Sequence, residues 1–323
     1  MYKSSTCNFP FELGLCCINN TLRHPDKNIP KKNRPREVFP NRTCTRDRFS
    51  VSRAKTLALQ NIQDMTEMLY WNHSHQIHHY RISSDMFPHY TDPETELYTM
   101  DFALDALEEA GRVARSLNQR ITAHPGQFVQ IGAKDPQIFQ KSYEDLQMHT
   151  DIMNAMNIPE NEGILCIHGG GVYGDKENTI RRWIDQFDDL PREIQNRLAI
   201  EHCEKCYSLQ DALTISNATG IPVIFDNLHY DCYAKLHPNE TIASPEDLLP
   251  EVVERWKSRE CSPVFHLAQQ KEKERTGAHA DFVDEIPSYL FDLARNEDTI
   301  IHLEVEAKSK EAAIFRLKEK YKV

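Results

Sequence analysis

The chain is predicted to fold as an α/β protein, a single (β/α)8 barrel of the TIM type. Three observations predict it. Eight short apolar or β-branched runs alternate with eight helical patterns along 323 residues, a length normal for such a barrel. The first strand is followed by CCINNTLRH, without the glycine-rich phosphate turn that a rival open doubly wound sheet would carry. Histidines and carboxylates recur at the C-terminal ends of the apolar runs, the face on which barrel enzymes assemble their sites.

The expected strands lie near 12–17, 78–83, 120–124, 163–168, 198–202, 222–227, 263–267 and 300–306. Between them, helices are expected near 50–72, 95–117, 137–156, 177–188, 208–219, 245–257, 283–296 and 309–321. The second helix carries the clearest stripe, with Leu97, Phe102, Leu104, Leu107, Ala110 and Val113 approximating a 3.6-residue period. Gly220, ahead of Ile-Pro, closes the fifth helix. HGGGVYG after the fourth strand lacks the lysine and Ser/Thr of a phosphate-cradling loop. Residues 1–323 read as one domain, with 1–11 an N-terminal extension. Segment 20–50, rich in Pro, Asn and basic residues, reads as an irregular insertion over the strand-end face.

No run of about 18 apolar residues exists, so no membrane span is expected, and the N-terminus lacks the pattern of a secretory signal. Nine scattered cysteines, with Cys16, Cys17 and Cys166 inside apolar runs, read as free thiols of a reducing compartment. The expected location is intracellular: cytoplasmic for a prokaryotic or viral protein, nuclear for a eukaryotic one. Cys203-Glu-Lys-Cys206 has no second CxxC to complete a zinc site, and reads as buried or loop thiols.

The net charge of −11 argues at first against a polyanionic partner. Between Arg23 and Lys55, however, eleven Lys/Arg against three Asp/Glu give +8, leaving −19 for the rest. Such asymmetry suits a segment that faces a polyanion; the plainer alternative is a solvated basic loop.

The chemistry is carried by Asp85, His124, His168, Glu201, Asp226, His229, His266, His279 and Glu306, all at or just beyond strand ends. Singly, each has an ordinary explanation as a loop residue or helix cap. Together, five histidines and four carboxylates in one pocket would repel or desolvate one another without cations. Mixed His/Asp/Glu donors suit manganese, zinc or iron, and nine of them exceed what one ion needs. Two or three ions are therefore expected, with Glu201 bridging. Clustered metals lower the pKa of bound water toward about 7 and clamp the oxygens of a phosphoryl centre. Three divalent ions would outweigh four carboxylates, so an acidic protein would present a net positive pocket.

GLCCINNTLR, YRISSDMFPHY, HPGQFVQIG, HGGGVYGDK, FDNLHY, HLAQQ followed by GAHADF, and VEAKSKE resemble, in order, the UV damage endonuclease family. The resemblance runs from about Glu12 to Val323, and HPGQF and GAHADF are its specific parts. It implies a barrel holding a cluster of two or three divalent ions, manganese first, with zinc or magnesium as alternatives. It implies cleavage 5′ to UV photoproducts, and in many members abasic sites, leaving a 3′-hydroxyl and a 5′-phosphate. The metal ligands implied are His124, His168, Glu201, Asp226, His229, His266, His279 and Glu306, with Asp85 where some members have histidine. Glu201, His229 and Glu306 are expected to carry the catalysis. Gln127 and Phe128 are implied as the pair that fills the duplex where the lesion leaves it, and Asn19 as a neighbour of the damaged nucleotides. Two positions depart from the family: Val264 stands for a lysine two residues before His266, and Leu15 for a tyrosine.

The implied partner is damaged double-stranded DNA, bound by a monomer with no obligate protein partner and no membrane. Two alternatives stand beside this reading: a sugar isomerase or epimerase on the same barrel, and a damage-binding member weakened in catalysis through Val264.

Overall fold

The computed structural model describes residues 9–24, 28–33 and 35–323; the beginning of the expected N-terminal extension, residues 1–8, lies outside them. Eight strands follow one another: β1 (Phe11–Cys16), β2 (His79–Ile82), β3 (Arg120–Ala123), β4 (Ile164–His168), β5 (Leu198–Glu201), β6 (Val223–Ile224), β7 (Val264–Leu267) and β8 (Ile301–Val305). They pair in parallel in the order β6-β5-β4-β3-β2-β1-β8-β7. The remaining gap is closed where the His266 amide donates to the Phe225 carbonyl (2.8 Å) and Asp226 bridges His266. The result is the expected barrel.

Strand alternation sorts the side chains. Leu13, Leu15, Tyr80, Ile82, Ile121 and Ile167 face outward and are buried under the helices. The residues between them face inward and are unusually polar: His79, Arg81, Thr122, Glu201, His266, His302, Glu304 and Glu306 meet across the barrel. Leu15 thus packs outward as core.

Three expectations are corrected. The strand expected over 222–227 is confined to Val223–Ile224. Asp226 accepts the His229 amide (2.8 Å) and caps a helix over Asn227–Leu236, so His229 sits in a helical first turn. The helix expected from 95 begins only at Leu104, after a 3-10 turn over Asp101–Ala103. Tyr98 anchors the preceding loop through its hydroxyl on the Pro88 carbonyl (2.7 Å), and Leu97 is 71% exposed. The helix expected from 283 begins at Ser288, because Pro287 disfavours helical geometry before it.

The basic insertion is tied down by its own charges. Arg36 and Arg42 both pair with Asp64, which is buried on the helix Val51–Ser74, and Arg36 also reaches Glu67. Arg46 pairs with Asp92 (2.8 Å) and Glu94. Arg23 lies over the Phe39 ring (3.9 Å). Arg48, by contrast, keeps a side chain 74% exposed. Part of the positive charge therefore serves the fold, and part is presented to solvent.

The eight described cysteines are unpaired. Among the described residues no helix is long and apolar enough to cross a membrane.

Candidate metal centre

β5 ends on Glu201, which is 1% exposed, and four imidazoles from four other segments converge on it. His229 Nδ1 and His266 Nδ1 lie 2.9 and 3.0 Å from Oε1. His124 Nε2 and His168 Nε2 lie 3.1 and 3.7 Å from Oε2. Asp226 is fully buried; its Oδ2 stands 3.8 Å from His266 Nδ1 and 4.0 Å from His229 Nδ1 and has no hydrogen-bond partner. Glu306 Oε1 is 3.6 Å from His266 Nδ1, and its Oε2 is 3.5 Å from His279 Nδ1. Four overlapping trios result, His124–His168–Glu201, Cys166–Glu201–His266, Glu201–Asp226–His229 and Asp226–His266–Glu306, each with donor atoms within 4.8 Å of one another.

The electrostatics follow from this crowding. Burial opposes the charge of Glu201, but His266, His168 and His229 outweigh it and hold the carboxyl well below its usual range. Burial would likewise depress His229 and His266. Asp226 and Glu201 around the first, and Glu201 and Glu306 around the second, raise both well above ordinary imidazole. His168 is held down to about 4 by burial, and its histidine neighbours add to the depression. Asp226 is raised, chiefly by burial. Without metal, protons held on His229 and His266 balance the charge of the Glu201 carboxylate. Nitrogen and carboxylate donors at this spacing, with a buried Asp226 oxygen left unpartnered, fit divalent cations.

Two expected ligands stand apart. Asp85 is exposed, its amide held by Ser83 Oγ (3.2 Å), and it joins none of the donor trios among the described residues. His279 lies at the rim, where it meets Glu306 alone of the expected ligands. Gln127 and Phe128 form the tip of a turn closed by the Val129 amide on the Gly126 carbonyl (3.0 Å), directly after His124. Phe128 is 78% exposed. Asn19 is buried, and its side chain caps the short helix Asn20–Arg23 by accepting the Leu22 amide (2.9 Å). Val264 is fully buried beside His302. The Cys203 sulfur accepts the amides of Cys206 (3.2 Å) and Tyr207 (3.3 Å) and so shapes the loop after β5.

Residues that strand-end counting passes over also enter the site. Arg81 donates to Glu304 (3.0 Å) and to Glu306. His202 accepts the Asp226 amide (3.0 Å), and its carbonyl stands 3.2 Å from His229 Nδ1. The signal for Arg81 and Glu304 lies in the two-residue period of β2 and β8: His79 and Arg81, and His302, Glu304 and Glu306, each share one face.

The UV-endonuclease UvdE family profile matches residues 11–323. A putative UV-damage endonuclease of Acanthamoeba polyphaga mimivirus is 30% identical over 317 residues, covering 96% of this chain and 91% of that protein. The UV-damage endonuclease of Schizosaccharomyces pombe is 30% identical over 96% of this chain, which spans about half (51%) of that relative's length. The crystal structure of SacUVDE superposes with a TM-score of 0.81 at 28% identity, over 97% of this chain and 98% of that one. L-ribulose 3-epimerase shares the fold alone, with a TM-score of 0.52 at 13% identity over 81% of each chain. With a profile match that begins at β1 and a relative aligned along nearly the whole of both proteins, this chain belongs to the UV-endonuclease UvdE family.

Proposed function

We propose that the chain is a DNA-repair endonuclease that uses divalent ions to hydrolyse the phosphodiester 5′ to UV photoproducts, and that it also cuts at abasic sites. The observation that carries this reading is the convergence of four imidazoles on Glu201, directly beside a turn that presents Phe128 to solvent. Two or three ions, manganese first, held by His124, His168, Glu201, Asp226, His229, His266 and Glu306, would supply an activated water and neutralise charge developing on phosphate.

The chain's own residues do the rest. Glu201 offers both oxygens to the pocket and bridges its two sides. Phe128 enters the duplex and stacks where the damaged nucleotide has left, while Gln127 contacts the polar edges. Exposed cations of the basic stretch between Arg23 and Lys55, Arg48 and Arg53 among them, hold backbone phosphates. Damaged bases cost less to unstack, which supplies selectivity. The protein works as a monomer on double-stranded DNA.

The test is a nicking assay on one duplex with a photoproduct, one with an abasic site and one intact, with and without manganese. The expected products carry a 3′-hydroxyl and a 5′-phosphate, with the cut immediately 5′ to the lesion. Absence of any metal-dependent cut in the damaged strands would overturn the reading.

A further inference from the structure

Below the metal pocket the barrel interior holds a second polar layer centred on Glu304, 1% exposed. Its Oε1 accepts from His79 Nε2 (2.8 Å) and from the Thr122 hydroxyl. Its Oε2 faces Arg81 Nη1 (3.0 Å) and His266 Nε2 (3.2 Å). His79 Nδ1 in turn meets His302 Nδ1 at 3.0 Å. The layer is built into the backbone as well. Gly14 faces His79 across β1 and β2, and a Cβ there would stand 2.7 Å from the ring.

We propose that Glu304 is a positioning residue for the metal centre: by accepting the Nε2 proton of His266, it fixes the tautomer whose Nδ1 lone pair faces Glu201, Asp226 and Glu306. The inference rests on the metal-dependent reading above. His266 Nδ1 lies 3.0, 3.8 and 3.6 Å from oxygens of those three carboxylates, so this nitrogen, not Nε2, is the one turned to an ion. A ligating imidazole needs its lone pair there and its proton on the other nitrogen, held by an acceptor. Arg81 Nη1 also comes within 3.5 Å of Nε2, but a guanidinium only donates. Glu304 is therefore the acceptor. The same carboxylate orders the layer beneath: His79 donates from Nε2, so its Nδ1 accepts from His302 Nδ1–H.

Cys16, Glu304 and Glu306 lie close enough to hold an ion themselves. Arg81, donating to both carboxylates, already stands there as a fixed cation. This makes Glu304 a partner of a ligand and not a ligand, and it explains why a carboxylate is needed: a neutral acceptor would leave the buried guanidinium less compensated.

The test uses the full chain loaded with zinc, which is diamagnetic. Nitrogen-15 NMR of labelled histidines is expected to show His266 protonated at Nε2, His79 at Nε2 and His302 at Nδ1; a His266 proton on Nδ1 overturns the proposal. In chelator competition, Glu304→Gln is expected to bind zinc ~10–100-fold more weakly with the number of ions unchanged. Unchanged affinity overturns the proposal, and so does loss of one ion per chain, which would make Glu304 a ligand. If Glu304→Gln does not fold, the ring protonation of the native chain decides alone. A native chain that takes up no zinc sinks the metal reading itself, whereas native uptake matched by Glu304→Gln sinks only this inference.

Discussion

Gly14 and His79 stand opposite one another in register on β1 and β2, and a methyl group on Gly14 would come within 2.7 Å of Cδ2 of the His79 ring. The nearest atoms all belong to that side chain, so relief requires moving a ring held by Glu304 and His302. Gly14→Ala is expected to destabilise the chain by ~1–3 kcal/mol through overpacking. In a His79→Ala background the same change should cost much less. Urea denaturation of the four proteins reads the coupling, and equal costs in both backgrounds would contradict the contact.

Glu201 is the hub of the pocket, so its replacement should do more than remove one ligand. Glu201→Gln is expected to lower the number of bound ions and abolish metal-dependent nicking. It also leaves buried imidazolium unpaired, at a cost of ~3–5 kcal/mol to the metal-free fold. Metal content, nicking and denaturation are read on the same sample. A variant that keeps the native ion count and cutting rate would displace Glu201 from the centre.

Phe128 is 78% exposed, so truncating it should leave folding stability within ~0.5 kcal/mol. Base stacking on an aromatic contributes ~1–3 kcal/mol by alanine substitution, which converts to a roughly 5–150-fold loss of affinity for lesion-bearing duplex. Fluorescence anisotropy on damaged and intact duplexes checks this. Equal small losses on both would mean that Phe128 does not enter at the lesion.

Metal uptake should release protons. Despite burial, Asp226, Glu201 and Glu306 raise His229 and His266 well above ordinary imidazole, while the histidines hold Glu201 well below ordinary carboxylate. The raised imidazoles contribute stability fully present below about pH 6.5 and lost as pH rises through their folded values. Glu201 contributes stability present above about pH 4.5 and lost as pH falls through its depressed value. The metal-free chain is thus expected to weaken toward alkaline pH, and metal affinity to rise with pH as competing protons leave. Calorimetry of manganese binding in two buffers of different ionisation enthalpy measures the release; identical heats would contradict it.

The insertion should divide into structural and phosphate-binding arginines. Arg36 is paired with buried Asp64, so Arg36→Ala is expected to lower stability and leave the salt dependence of DNA binding unchanged. Arg48 is exposed, and Arg48→Ala should reduce the salt slope by ~1 with little effect on folding. A reversed pattern would move the duplex to the other side of the insertion.

The barrel, the order of its strands and most of the pocket were legible in the sequence, because apolar period and strand-end polarity are local properties. LAIE places Glu201 at the end of β5, and HPGQF announces an exposed turn at Phe128. What local pattern could not decide was competition between neighbours. VIFDNLH has strand composition, yet the Asp226 cap draws His229 into a helix. Asp85 reads as a ligand by position but is exposed, and the basic stretch reads as facing a polyanion or solvent although its Arg36 and Arg42 close on Asp64. Glu304 carries no motif. Its role appears only when β2, β3, β7 and β8 close around it and place Arg81, His79, Thr122 and His266 within reach of one carboxylate. Sequence determined which residues each strand would offer the interior. Only the closure of the barrel decided which of them would meet, because the hydrogen bond between His79 and Glu304, 225 positions apart, is set by register and not by spacing along the chain.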